Sequence, residues 1–128
     1  MRRILCIDDS VARFMMMYRV AAKEGILLTI TDNPELIRLI LRVPIPECPL
    51  IGICLDHDMP GRNAVDIARD LLGPHSIPVA IVSNNHDGCV KLADVLNEFA
   101  VPNQRVPAGG VDWEERVIDW FKSQEKIR

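Results

Sequence analysis

The chain has 128 residues, of which 48% are apolar, and a formal net charge of −3. That length suits one domain around one core, and the apolar share excludes a disordered chain. The acidic balance excludes a general nucleic-acid or anionic-membrane binder, and no apolar run approaches the ~20 residues that a bilayer span requires.

Arg3 to Ile7 reads as strand 1, closed by Asp8-Asp9. Ser10 suits an N-cap, and Val11 to Glu24 carries apolar residues at helical spacing up to Gly25. Ile26 to Thr31 is strand 2. Asp32 and Glu35 then form a capping-box pair around Pro34, opening helix 2, which runs to about Val43. Pro44, Pro46 and Pro49 mark a loop before strand 3, Leu50 to Leu55. Asn63 can cap helix 3, which ends at Leu72 before Gly73-Pro74. Strand 4 is Ile77 to Val82, helix 4 runs from about Cys89 to Phe99, and strand 5 is Gln104 to Val106. Asp112 and Glu115 make a second capping box, and helix 5 reaches about Gln124.

Strands that alternate with helices imply right-handed β-α-β units and a parallel sheet. The near-continuous apolar strands 1, 3 and 4 fit burial on both faces. The expected architecture is α/β: one flavodoxin-like (βα)5 three-layer sandwich over residues 1–128, its five-stranded sheet in the order 2-1-3-4-5. Met1-Arg2-Arg3 is basic, but Ile4 to Ile7 is shorter than the ~7–15 apolar residues of a signal peptide, so a cytoplasmic protein is expected. The cysteines (Cys6, Cys48, Cys54, Cys89) include no C-x-x-C pair and read as reduced thiols, Cys6 and Cys54 inside strands. Met15-Met16-Met17 reads as core filling plus one exposed methionine. Trp113 and Trp120, seven apart on one stripe of helix 5, read as packing onto the sheet.

Polar groups follow strands 1, 3 and 4: Asp8-Asp9, Asp56-His57-Asp58, and Ser83-Asn84-Asn85-His86. In this strand order those ends are neighbours, and ligands bind beyond the carboxyl ends of such strands. Crowded carboxylates raise each other's pKa unless a counter-charge joins them. A hard cation does so, and Mg2+ takes oxygen ligands while keeping waters that phosphoryl oxygens can replace. A histidine between two acids suits general acid or base work near neutral pH, and Asn85 with the amides leading into helix 4 can hold phosphate oxygens. His75, beside Pro74, reads as structural or exposed.

These motifs resemble a response-regulator receiver domain of the CheY-like superfamily, over nearly the whole chain. The resemblance places the phosphoacceptor at Asp56 in Asp56-His57-Asp58-Met59-Pro60, Mg2+ at Asp8, Asp9 and Asp56 with the carbonyl of Asp58, and the phosphoryl contact at Ser83. It implies a phosphodonor protein as partner, or a homodimer through helix 4, strand 5 and helix 5. It departs at strand 5, where Pro107 follows Val106 rather than a lysine, with Arg105 one place earlier. Leu55-Asp56-His57-Asp58 and Ser83-x-Asn85-x-x-Gly88 are also similar to the cyclic-phosphate processing receiver group. That likeness implies a phosphate-containing small molecule as ligand and catalytic roles for Asp56, His57, Ser83 and Asn85. The histidine that this group carries before the serine is Val82 here, with His86 four residues further on. Three functions follow: phosphoacceptor signalling with output in trans, a metal-dependent phosphoesterase, and an interaction domain alone.

Overall fold

The computed structural model describes residues 1–56, 63–107, 109 and 112–127, without the side chain of Arg13. Five parallel strands, β1 (Arg2–Ile7), β2 (Ile26–Thr31), β3 (Leu50–Leu55), β4 (Val79–Val82) and β5 (Asn103–Val106), lie in the order β2-β1-β3-β4-β5. The helices are α1 (Met15–Lys23), α2 (Pro34–Arg42), α3 (Ala64–Ile67), α4 (His86–Glu98) and α5 (Trp113–Ile127).

Strand side chains alternate between faces, and this splits the core into two layers. Leu5, Ile7, Ile53, Leu55 and Ile81 turn to one face, under α2, α3 and α4. Ile4, Cys6, Cys54, Ala80 and Val82 turn to the other, under α1 and α5. The expected flavodoxin-like sandwich is thus the observed fold. No described helix is long and apolar enough to cross a membrane.

Gly52 sets the depth of α5. A methyl built on it would lie 2.5 Å from Phe121 Cε1 and 2.6 Å from Phe121 Cγ, so the ring rests on bare backbone. Trp113 is buried edge-on to Phe14, with ring centroids 6.0 Å apart, and Trp120 tilts against Phe121. Both tryptophans therefore pack inward, as their spacing implies.

Local chemistry moves several boundaries. Ser10 does not cap a helix: its amide donates to Asp8 Oδ1 at 2.8 Å, and a 3-10 turn (Ala12–Phe14) precedes α1. Of the three methionines, Met17 alone is buried, while Met15 and Met16 are both exposed. The cap of α2 is Asn33 rather than Asp32, because Asn33 Oδ1 accepts from the amides of Glu35 (2.9 Å) and Leu36 (3.3 Å). Removing that acceptor leaves two amides at the helix start reliant on water. Asn33→Ala is expected to cost about 1 kcal/mol in urea unfolding, with no change in far-UV circular dichroism. Asn63 caps α3 through Val65 N–H at 2.8 Å, as expected. The helix then widens into a π-helical turn over Ala68–Leu72, closed by Gly73 N–H on Ala68 O at 2.9 Å. Gly73 takes φ 62, a backbone conformation open to glycine.

His75 is structural, as read. Its Nδ1 accepts from Ile77 N–H at 3.1 Å, and its Nε2 is buried without a hydrogen-bond partner. Burial lowers its pKa. The folded state therefore disfavours the charged ring, and the stability contributed by the neutral form is complete above the ordinary imidazole range. It is lost as pH falls through the lowered folded pKa. His75→Gln is expected to flatten that acid limb in a series of thermal melts.

Candidate functional site

The sheet brings three separated segments to one rim. Ile7 pairs with Leu55, and Leu55 with Ile81, so the residues that follow β1, β3 and β4 emerge side by side. Asp8 N–H donates to Thr31 O at 3.2 Å and Asp56 N–H to Ile7 O at 3.4 Å, which carries the sheet one residue past each strand. Among the described residues, the buried polar or charged side chains are Asp8 (2% exposed), Asp56 (1%) and Ser83 (2%). Each is a residue that the sequence singles out, and all three stand at this rim. Buried carboxylates are costly unless charge or hydrogen bonds compensate them, and here two of them and a hydroxyl emerge at one rim.

The rim is layered on a pair of thiols. Cys6 and Cys54 are register partners on β1 and β3, both fully buried. Burial pushes the Cys6 thiol well up, and the hydrogen bond with Cys54, its field and that of Asp8 add to this. A thiol so placed stays protonated and unreactive, in keeping with the four free cysteines of the chain.

Asp9 is exposed beside buried Asp8. His57 and Asp58 lie outside the described residues. Among the described residues no three His, Cys, Asp or Glu side chains converge to hold a metal ion. Mg2+, however, needs only one or two carboxylates when waters complete its shell. Two buried aspartates on adjacent strands are a donor set of the right hardness and charge.

On β4 the polar groups form a turn. Ser83 Oγ accepts from Asn85 N–H at 3.1 Å. Helix α4 starts at His86, not Cys89, because Asn85 is its N-cap, with Oδ1 accepting from Gly88 N–H at 3.0 Å. Asn85, expected to hold phosphate oxygens, thus directs its carbonyl oxygen into the helix start. Asn85→Ala is expected to cost about 1 kcal/mol in thermal unfolding through loss of this cap.

Arg105 is the residue whose direction only the tertiary structure reveals. It pairs with Ile81 on β5, on the α4 side of the sheet. Its Nε donates to Ser83 O at 3.5 Å, and its Nη1 lies 3.0 Å from His86 Nδ1. Guanidinium has no acceptor, so in this contact His86 Nδ1 is the accepting atom. A cation and an imidazole thus stand together where β4 meets α4.

No family model matches this sequence, and no curated protein matches it. Solved structures do resemble it. The receiver domain of the TMAO respiratory system response regulator TorR superimposes with a TM-score of 0.71 at 17% identity, covering 100% of both chains. A CheY-like receiver domain protein from Methanospirillum hungatei JF-1 gives 0.66 at 16% identity, covering 100% of this chain and 99% of that one. A response regulator receiver protein from Burkholderia phymatum gives 0.68 at 17% identity, covering 97% and 94%. At such identities the likeness carries the architecture: this chain has the fold of a response-regulator receiver domain.

Proposed function

We propose that this chain is a receiver-type module whose acidic rim binds Mg2+ and accepts a phosphoryl group on Asp56. The supporting observation is that Asp8, Asp56 and Ser83, from the ends of three adjacent strands, are the buried polar side chains of the described chain. Asp8 and Asp56 would hold the ion, with Asp9 and the carbonyl of Asp58 as further oxygen donors. When bound, Mg2+ supplies charge neutralisation for the rim and for incoming phosphoryl oxygens. A carboxylate oxygen of Asp56 attacks the phosphorus of an acyl phosphate. The bond from phosphorus to the acyl oxygen breaks, the carboxylate of the donor leaves, and an aspartyl phosphate remains. Ser83 contacts the transferred group, and Arg105, whose Nε donates to the Ser83 carbonyl, supplies positive charge beside it. The phosphodonor in this reading is a protein carrying a labile phosphoryl group. The α4-β5-α5 face, where Val90 is the one large apolar side chain exposed among the described residues of α4 and β5, offers it a mainly polar contact.

A second reading, processing of a cyclic-phosphate ligand, is favoured by the departure at β5: a guanidinium bonded to His86 in place of a lysine. There His57 acts as acid or base and Arg105 with His86 faces the phosphate.

Incubation with Mg2+ and acetyl phosphate separates the two. The first reading expects a hydroxylamine-labile phosphoryl adduct that maps to Asp56. The second expects no adduct, and hydrolysis of 2′,3′-cyclic nucleotides that is lost in His57→Ala. Neither product would reduce the chain to an interaction domain.

A further inference from the structure

Arg105 is held between two neutral anchors. Its Nε donates to Ser83 O at 3.5 Å and its Nη1 to His86 Nδ1 at 3.0 Å. Among the described residues no carboxylate pairs with it, although the chain carries 18 acidic side chains. A lone carbonyl does not fix a flexible arginine, but two anchors on different nitrogens hold the planar fork in one orientation. A carboxylate in place of His86 would hold the guanidinium as well and would also neutralise it. The imidazole holds it while leaving its charge uncancelled, and Nη2 keeps its hydrogens for an incoming oxygen.

We infer that His86 is a positioning residue: through Nδ1 it keeps the Arg105 guanidinium against the Ser83 carbonyl, so that positive charge is in place when a phosphoryl group arrives on Asp56. This rests on the phosphoacceptor reading above. Ser83 links the two halves of the device. Its hydroxyl meets the transferred group, and its carbonyl carries the guanidinium. His86 itself touches neither, and acts through Arg105.

The same contact makes the site sensitive to pH. A protonated imidazole has two donors and no acceptor, so the bond to Arg105 is lost and two cations face each other. Other charges around α4 stand elsewhere. At helical spacing from His86 the neighbours on α4 are Cys89 and Val90, both uncharged, and Asp87 is the adjacent residue in the exposed first turn. Strand β4 has no charged side chain. Arg69, on the π-helical turn, meets Glu98 at the far end of α4 at 3.5 Å, and Asp66 and Asp70 line the groove toward α2. On β5 the charge that faces the ring is that of Arg105.

Rates of Asp56 labelling by acetyl phosphate with Mg2+ test this on the full chain. His86 is exposed, so its substitution leaves the core intact. His86→Phe, a ring without an acceptor, is expected to slow labelling by about tenfold or more, within the ~100-fold that a 1 Å misplacement can cost. Arg105→Gln is expected to slow it at least as much, and His86→Phe in that background to add nothing, as for residues that act through one another. His86→Asn keeps an oxygen acceptor near the place of Nδ1 and is expected to retain the native rate. The native rate is expected to fall with pH through the midpoint at which the His86 ring resonances titrate, and that of His86→Asn to lack this step. An adduct that forms at the native rate in His86→Phe overturns the inference and leaves the phosphoacceptor reading intact. So does further slowing by His86→Phe in the Arg105→Gln background, or one pH profile shared by the native chain and His86→Asn. A native chain that forms no adduct overturns the phosphoacceptor reading, and the inference with it.

Discussion

Gly52→Ala is expected to destabilise the fold by about 3 kcal/mol, the upper end of the usual cost of overpacking a core. The new methyl would stand 2.5 Å from Phe121 Cε1, well inside van der Waals contact. Gly52 is in the middle of β3, paired to Ile4 of β1, so the backbone cannot withdraw without pulling the central strands apart. Phe121 cannot withdraw either: it is fully buried among Ile4, Cys54, Val117 and Ile118. The strain must therefore lift α5 from the sheet. Urea unfolding reads the loss directly. Phe121→Leu in the Gly52→Ala background is expected to recover part of it, although Phe121→Leu alone destabilises. A near-neutral Gly52→Ala would show that α5 adjusts freely, against the close approach seen here.

The second large effect concerns the acidic rim. Asp56→Asn is expected to abolish Mg2+-dependent labelling by acetyl phosphate, because an amide cannot form the acyl phosphate. It is also expected to separate two contributions to stability. Without metal, the amide keeps the shape of the carboxylate it replaces, so the variant should melt close to the native chain. With metal the two should diverge. An ion that binds only the folded state stabilises it by about 2.7 kcal/mol at a hundredfold excess over its Kd. The native melting temperature should climb with Mg2+ and that of Asp56→Asn should not. Asp8→Asn should lose the same metal response while keeping the nucleophile, which makes it the sharper probe of the ion site. A native chain indifferent to Mg2+, or labelling that persists in Asp56→Asn, would remove the basis for the proposed site.

Much of this molecule was legible before any coordinates. Apolar runs of strand length between amphipathic segments were enough for five β-α units, and the handedness of such units leaves few ways to stack them. Asp8, Asp56 and Ser83 were legible for a related reason: each directly follows a buried strand, and a strand end in a parallel sheet has one place to go. Caps were harder. Asp32 and Asn33 are both good capping residues, and the choice fell to Asn33 because Thr31 Oγ1 accepts from Asn33 N–H at 3.0 Å and turns that residue into position. Asn85 shows the same competition. A residue suited to holding phosphate is equally suited to capping, and the amide of Gly88 three residues on takes its oxygen.

Composition and residue pattern by themselves determined the sheet, its two apolar layers and the acids at its rim, because burial and alternation act on residues close in the chain. The tertiary structure alone decided where Arg105 reaches and that Phe121 lies on Gly52. Those facts join residues up to 69 positions apart, such as Gly52 and Phe121. Their relation depends on how far one element sinks or turns against another, which no local pattern encodes.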